Sequence, residues 1–293
     1  MLYGAIEAGG TKFVCAVGNE KGEIISRTVF PTQDPETTLG NVYSYFSDYT
    51  LTSIGVGCFG PIELNKNKEN FGRILNTPKL LWKNFNIYQA LSCHFSVPVF
   101  VDTDVNAAAL GEFHTGAAQD SDSCLYITVG TGIGAGFVQN GKVSKGLFNT
   151  EMGHIYVPVH PEDPFEGGCQ DHGNCLEGMA SGSAILTRYG KKGYELEEVK
   201  AVWELEAYYL AQAIVNYSLI LAPEKIILGG GVMKQTILYT LIREKAAKLL
   251  NHYVQIDDFE QYIVPPQLND NQGVIGSLLL AKRDMGTGTL SQK

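Results

Sequence analysis

No run of eighteen apolar residues occurs in this 293-residue sequence, so no segment reads as a membrane-spanning helix. No positively charged n-region precedes an apolar core, so no secretory leader is expected. Positive charge is scarce: 22 Lys and Arg stand against 31 Asp and Glu, leaving a net charge of -9. That balance argues against a nucleic-acid surface, although backbone N–H groups can still bind an anion locally. The six cysteines do not form a disulfide framework. Cys15, Cys58 and Cys124 sit in apolar, strand-like runs and Cys93 in a helical pattern, and each reads as a small core hydrophobe. A reducing, cytoplasmic compartment fits this usage.

What the chain does have is concentrated in residues 151–177. Glu151-Met152-Gly153-His154 is followed by an irregular run and then by Cys169-Gln170-Asp171-His172-Gly173-Asn174-Cys175-Leu176-Glu177. Cys169, His172 and Cys175, with His154 fifteen residues upstream, offer the four N/S donors of a tetrahedral zinc site. No position is left open for water, so the metal would be structural. Its task would be to pin the loop that presents Glu151 and Glu177. Those two carboxylates suit the hydroxyls of a polyol, since a buried hydroxyl left unpaired costs about 1–3 kcal/mol. His154 could turn its second ring nitrogen toward a sugar.

The apolar periodicity predicts strands at about 2–6, 13–18, 22–30, 53–59 and 97–101, with helices at about 37–49, 84–95 and 106–116. The second half repeats the order, with strands at about 125–129, 135–139, 142–145, 225–228 and 261–264. Its helices are expected at about 200–221, 236–250 and 273–284. Both halves read βββαβαβα, a repeat that implies two related α/β domains facing across a cleft. The expected domains are 1–118 and 119–293, with a zinc-binding insertion at about 147–182. The last helix, about 273–285, is a candidate to pack back on the first domain, and the tail from Gly286 is expected to fray.

Ligands in such sheets bind beyond the strand carboxyl ends. Three glycine turns lie there. Gly9-Gly10-Thr11-Lys12 and Gly130-Thr131-Gly132-Ile133-Gly134 each join two strands, and two such anion nests suit a polyphosphate. Neither has P-loop spacing and no helix follows directly. Gly229-Gly230-Gly231 follows a strand and precedes a helix, so it could seat a nucleoside or a phosphate. Asp104, just past a strand end, is the best candidate general base. An N-cap role is the competing reading, and Asp102 or Thr103 could fill that instead.

Taken together, Glu7 to Lys12, Gly60-Pro61, Asp102 to Glu112, Gly130 to Gly134, Glu151-x-Gly153-His154 and Cys169 to Gly182 resemble the ROK family of sugar kinases, most nearly its fructokinase branch. The resemblance covers nearly the whole chain. It implies RNase H-like domains of the actin/hexokinase type, ATP with Mg²⁺, and γ-phosphoryl transfer to a hexose, with fructose favoured. It implies Asp104 as base, and Gly60, Asn76, Thr103, Glu151, His154 and Glu177 around the sugar. ATP would lie on Gly9, Gly10, Thr11, Lys12, Gly130, Thr131, Gly132, Gly182, Gly229, Gly230 and Gly231, with Glu7 organising Mg²⁺ through water. It further implies a homodimer and zinc on His154, Cys169, His172 and Cys175. The chain departs from the family in Glu7 for a frequent Asp, in Thr103 for a frequent Asn, and in His172 for one of three common Cys ligands.

Three functions compete on the sequence. A sugar kinase accounts for Asp104 and both glycine turns. A sugar-responsive regulator would carry a helix-turn-helix ahead of this body, whereas this sequence opens on its first strand. A silent binding scaffold would not need the base.

Overall fold

A computed structural model describes residues 1–282. In chain order the elements are β1 (Leu2–Ala8), β2 (Lys12–Asn19), β3 (Ile24–Pro31), α1 (Pro35–Phe46), β4 (Ser53–Cys58), α2 (Ile87–His94), β5 (Val99–Thr103), α3 (Asp104–Thr115), β6 (Ser123–Val129), β7 (Ile133–Gln139), β8 (Lys142–Val143), α4 (Leu176–Ala180), α5 (Gly182–Tyr189), α6 (Lys200–Leu221), β9 (Lys225–Gly229), α7 (Ile237–Leu250), α8 (Phe259–Tyr262), β10 (Ile263–Val264) and α9 (Gln272–Ala281). Two five-stranded sheets run in the orders β3-β2-β1-β4-β5 and β10-β9-β6-β7-β8. No described helix is long and apolar enough to cross a membrane.

The chain divides into two compact units, and neither is continuous in sequence. The first takes residues 1–119, 136–150 and 267 onward, the second 120–135 and 151–266. This differs from a single boundary at 118/119. It also moves residues 147–150 out of the metal-loop insertion and into the first unit.

In the first unit β1 pairs antiparallel with β2 and parallel with β4, and β4 pairs parallel with β5. The carboxyl ends of β1, β4 and β5 therefore share one edge. Ile6, Phe13, Val56, Leu39, Phe46, Ile87 and Leu91 form a core between one face of the sheet and the α1 and α2 helices. Ala5, Val14 and Ala16 on the other face meet Val274 and Leu278 of α9. Glycine sets how closely α9 approaches: a Cβ at Gly55 would overlap the Ser277 carbonyl, and one at Gly276 the Ala107 backbone. Ser277 Oγ then receives the Gly57 N–H at 3.1 Å.

In the second unit β6, β9 and β10 pair parallel. The long helix α6 buries Trp203, Tyr209, Leu210, Ile214 and Tyr217. Two helices here escaped the sequence reading. α4 has five residues and α5 eight, too short for a periodic stripe, although Ser181 caps α5 and Gly190 closes it in a left-handed conformation. The strand expected at 261–264 is reduced to Ile263–Val264, because the Asp258 side chain accepts from Glu260 and Gln261 N–H groups and starts α8 instead. Cys93 is exposed rather than in the core, while Cys15, Cys58 and Cys124 are buried as expected. The tail from Gly286 lies outside the described residues.

One buried carboxylate ties the returning chain to the first unit. Glu112 is fully buried and accepts from the backbone N–H groups of Ala117 at 2.7 Å, Gln267 at 3.1 Å and Leu268 at 3.3 Å. The segments of the chain's first exit from this unit and of its last return to it are thus held by one side chain. Replacing it by an isosteric hydrocarbon strands three donors. Glu112→Leu is expected to destabilise the chain by about 3 kcal/mol in denaturant unfolding. A loss of less than about 1 kcal/mol would mean that water replaces the carboxylate without penalty.

Candidate active site

In the first unit the sheet edge carries Glu7, Asp104 and the Gly9–Lys12 turn. Thr103 ends β5 and caps α3: its hydroxyl accepts the Asn106 N–H at 3.1 Å. Asp104 is therefore released from capping and sits in the first helical turn, where the dipole favours a carboxylate. Water still reaches Asp104, and the protein surrounds it on most sides. Desolvation pushes its carboxyl up to about 6, against the lowering effect of the Val105 N–H. Glu7 is pushed up to about 7, first by desolvation and then by the charge of Asp104, with Lys12 and Arg27 pulling the other way and Asp270 adding to the rise. Gly57 and Gly273 make room: a Cβ at Gly57 would collide with the Ala107 side chain of α3, and one at Gly273 would strike the Glu7 carboxylate.

The turn beside them is rigid. Gly9 N–H donates to the Lys12 carbonyl at 3.0 Å, and Thr32 Oγ1 donates to the Gly9 carbonyl at 2.7 Å. Lys79, which the sequence reading did not single out, lays its stem across Gly10, with Cε 3.4 Å from where a Cβ would be. Trp82 anchors that loop. It is 1% exposed, packs among Phe13, Phe59 and Phe85, and donates Nε1–H to the Gln33 carbonyl at 2.7 Å. Asn76 is exposed on the same loop. Gly60 precedes Pro61 just after β4 through a cis peptide bond.

In the second unit three glycine segments far apart in sequence come together. Gly182 N–H donates to the Gly130 carbonyl at 2.7 Å and Ser183 N–H to the Thr131 carbonyl at 3.3 Å, setting the N-terminus of α5 on the first turn. Gly230, with φ of +94°, packs against the Val129 backbone next to Gly130. The helix expected at about 236–250 is found as α7, and a single 3₁₀ turn, Val232–Lys234, lies between it and Gly231. Beyond that turn lies a cavity of about 250 Å³ lined by Glu197, Lys200, Trp203, Gln235 and Thr236. Glu177 Oε2 accepts the Ile133 N–H at 2.8 Å, so this carboxylate is tied to the same turn.

The four expected metal ligands are assembled. The donor atoms of His154, Cys169, His172 and Cys175 all lie within 4.8 Å of one another. His154 Nδ1 is 3.3 Å from His172 Nδ1, 3.5 Å from Cys175 Sγ and 3.7 Å from Cys169 Sγ. Bonds of about 2.0 Å to nitrogen and 2.3 Å to sulfur space tetrahedral donors about 3.3–3.8 Å apart, so the set fits zinc. Burial, and then the neighbouring Cys169 thiol, push the Cys175 thiol up to about 11; a divalent cation would reverse that. The knuckle closes through paired Cys169–Gly173 backbone bonds of 2.9 and 3.1 Å, with Gly173 at φ +61°.

Polar contacts unseen in the sequence hold this segment at both ends. Tyr217 OH donates to the Met152 carbonyl, between Glu151 and His154. Asp163 accepts from Arg188 at 3.1 Å and Tyr209 at 2.6 Å, and Arg188 also donates to the Met179 carbonyl at 2.8 Å, two residues beyond Glu177. No local motif announces such pairs, because their members lie far apart in sequence.

The comparisons with known proteins agree with this architecture. A protein of Bacillus subtilis provisionally named fructokinase is 51% identical over 284 residues, covering 96% of this chain and 95% of its own length. The fructokinase of Pediococcus pentosaceus is 44% identical, covering 96% and 98%. The crystal structure of a ROK hexokinase from Thermus thermophilus superposes with a TM-score of 0.77 at 26% identity, covering 96% of this chain and 98% of that one. The ROK family profile matches residues 3–284, and the chain belongs to the ROK family.

Proposed function

We propose that this chain is an ATP-dependent hexose kinase whose preferred substrate is fructose, converted to fructose 6-phosphate. The observation that carries the reading is Asp104: a carboxylate at a strand end, freed from capping by Thr103, with its proton affinity raised to about 6. A base of that strength is matched to neutral pH. The full-length relatives named fructokinase support the choice of sugar.

In this mechanism Asp104 accepts the proton of the attacking sugar hydroxyl. An O–P bond forms to the γ-phosphorus, its bond to the bridging oxygen breaks, and ADP leaves. Gly60, Asn76, Thr103, Glu151, His154 and Glu177 orient the sugar. The turns formed by Gly9, Gly10 and Thr11 and by Gly130, Thr131 and Gly132, with Gly182 and Lys12, seat the phosphates, and Gly229, Gly230 and Gly231 hold the nucleoside end. The polar cavity beyond that last turn is of a size for a base. Mg²⁺ bound with the nucleotide supplies charge neutralisation, and Glu7 is the group that would orient its water ligands. His154, Cys169, His172 and Cys175 would hold structural zinc, leaving the other nitrogen of His154 for the sugar. A homodimer and a cytoplasmic location belong to the same proposal.

ADP release in a coupled assay, with fructose, mannose and glucose at matched concentration, tests the reading. Fructose should be preferred, and Asp104→Asn should lower kcat by about 10²- to 10⁴-fold with the fold intact. Preference for another hexose would move the substrate and keep the chemistry, whereas near-wild-type turnover in the variant would sink the base assignment.

Metal analysis should find about one zinc per chain, lost in Cys169→Ser, with residues 151–177 becoming more susceptible to protease. Carefully purified protein without zinc would refute the metal site.

A further inference from the structure

The pair formed by Lys145 and Asp102 has no part in the roles assigned above. Asp102 lies in the β5 strand, opposite Gly57 of β4, and is fully buried. Its Oδ1 accepts the Asn106 side-chain N–H at 2.7 Å and the Thr103 N–H at 2.9 Å. Its Oδ2 meets the Lys145 ammonium at 2.8 Å, an ionic contact rather than an aligned hydrogen bond. Lys145 itself is 45% exposed. A pair on the open surface would matter little. Here one member is wholly out of water, so losing the other would leave a buried charge without compensation.

The surroundings show what the contact restrains. Asn106 Oδ1 and the Val105 carbonyl pack against Gly136 so closely that a side chain there would overlap them. The start of α3 is thus wedged against β7, and Lys145 returns just past β8 to grip the residue two before Asp104. The large apolar residues of this stretch stay in solvent: Leu147 and Phe148 are 90% and 73% exposed. It is held by polar anchors on either side, Lys145 to Asp102 and Asn149 Nδ2 to the Ile62 carbonyl at 2.9 Å.

We infer that Lys145 is a positioning residue for phosphoryl transfer: it neutralises Asp102 and thereby fixes the Thr103–Asp104 turn that presents the base. This rests on the kinase reading above. Without the ammonium, the Asp102 carboxylate would turn toward solvent, pulling on the Asn106 side chain and the Thr103 N–H that it receives. The base would then be offset from the sugar hydroxyl while the phosphate turns stay intact.

The test compares Lys145→Met, Lys145→Arg, Asp102→Asn and the Lys145→Met/Asp102→Asn double variant. Lys145→Met should lower kcat about 10- to 100-fold, as expected of a base displaced by a fraction of an ångström, with KM for ATP within about threefold of wild type. Lys145→Arg keeps the charge and should retain about a third or more of the activity. The double variant removes both charges and should recover kcat to within about fivefold of wild type, which a simple loss of packing would not allow. Amide exchange of residues 103–106 in the ligand-free protein should quicken in Lys145→Met and return in the double variant. Wild-type kcat in Lys145→Met, or unchanged exchange there, would overturn the inference. Absence of hexose phosphorylation by the wild-type protein would instead overturn the kinase reading, and the exchange measurement would still decide whether Lys145 fixes the turn.

Discussion

Two carboxylates crowded at one sheet edge set the terms for the first unit. Glu7 leaves β1 and Asp104 follows β5, and the parallel strands bring those ends together. Desolvation raises both proton affinities, Asp104 to about 6 and Glu7 to about 7, and the charge of Asp104 adds to the rise at Glu7. The fold tolerates this because its neighbours supply what carboxylates need: Lys12 and Arg27 near Glu7, the dipole of α3 at Asp104, and Gly57 and Gly273 where side chains would collide. Local consistency is relaxed at such a point, as happens at sites kept for chemistry.

The second unit solves a different problem, which is to hold irregular backbone still. Residues 151–177 contain little regular structure, so their order must come from elsewhere. The candidate zinc donors close the middle, Tyr217 grips one end through Met152, and the buried Asp163–Arg188–Tyr209 cluster grips the other through Met179. The donor cluster and the hydrogen bonds thus divide the segment between them. The glycine segments at 130, 182 and 230 converge for a simpler reason: each lies at a strand end or helix start on the same edge, and only glycine permits the backbones to touch.

Much of this was legible in the sequence. The repeated strand and helix order came through because long amphipathic segments such as Lys200–Leu221 leave a clear periodic signal. Asp104 was legible as the candidate base from its place after a strand, but the choice of Thr103 as the cap required the structure. The cluster of candidate metal donors was legible from spacing, since a knuckle brings Cys169, His172 and Cys175 together. The short α4 and α5 helices, the exposure of Cys93, and the return of residues 136–150 to the first unit were not. Each is decided by tertiary packing, which has no local signature. Lys145 illustrates the limit: in sequence it is an ordinary surface lysine, and only the burial of Asp102 gives it meaning.

The central claim, that Asp104 is a desolvated carboxylate poised near neutrality beside Glu7, can be tested without substrate. The measurement is the unfolding free energy of wild type and Asp104→Asn, followed together from pH 5 to 8. A carboxyl whose folded value is raised favours the folded state only while protonated, and that contribution is lost as pH rises through the folded value. Asparagine cannot ionise, and it also removes a repulsion felt by Glu7. The variant should therefore gain stability relative to wild type as pH rises through about 6 and 7, the values set by the two carboxylates. A difference that stays flat across the range would mean that water solvates Asp104 freely, and the account of its basicity would fail.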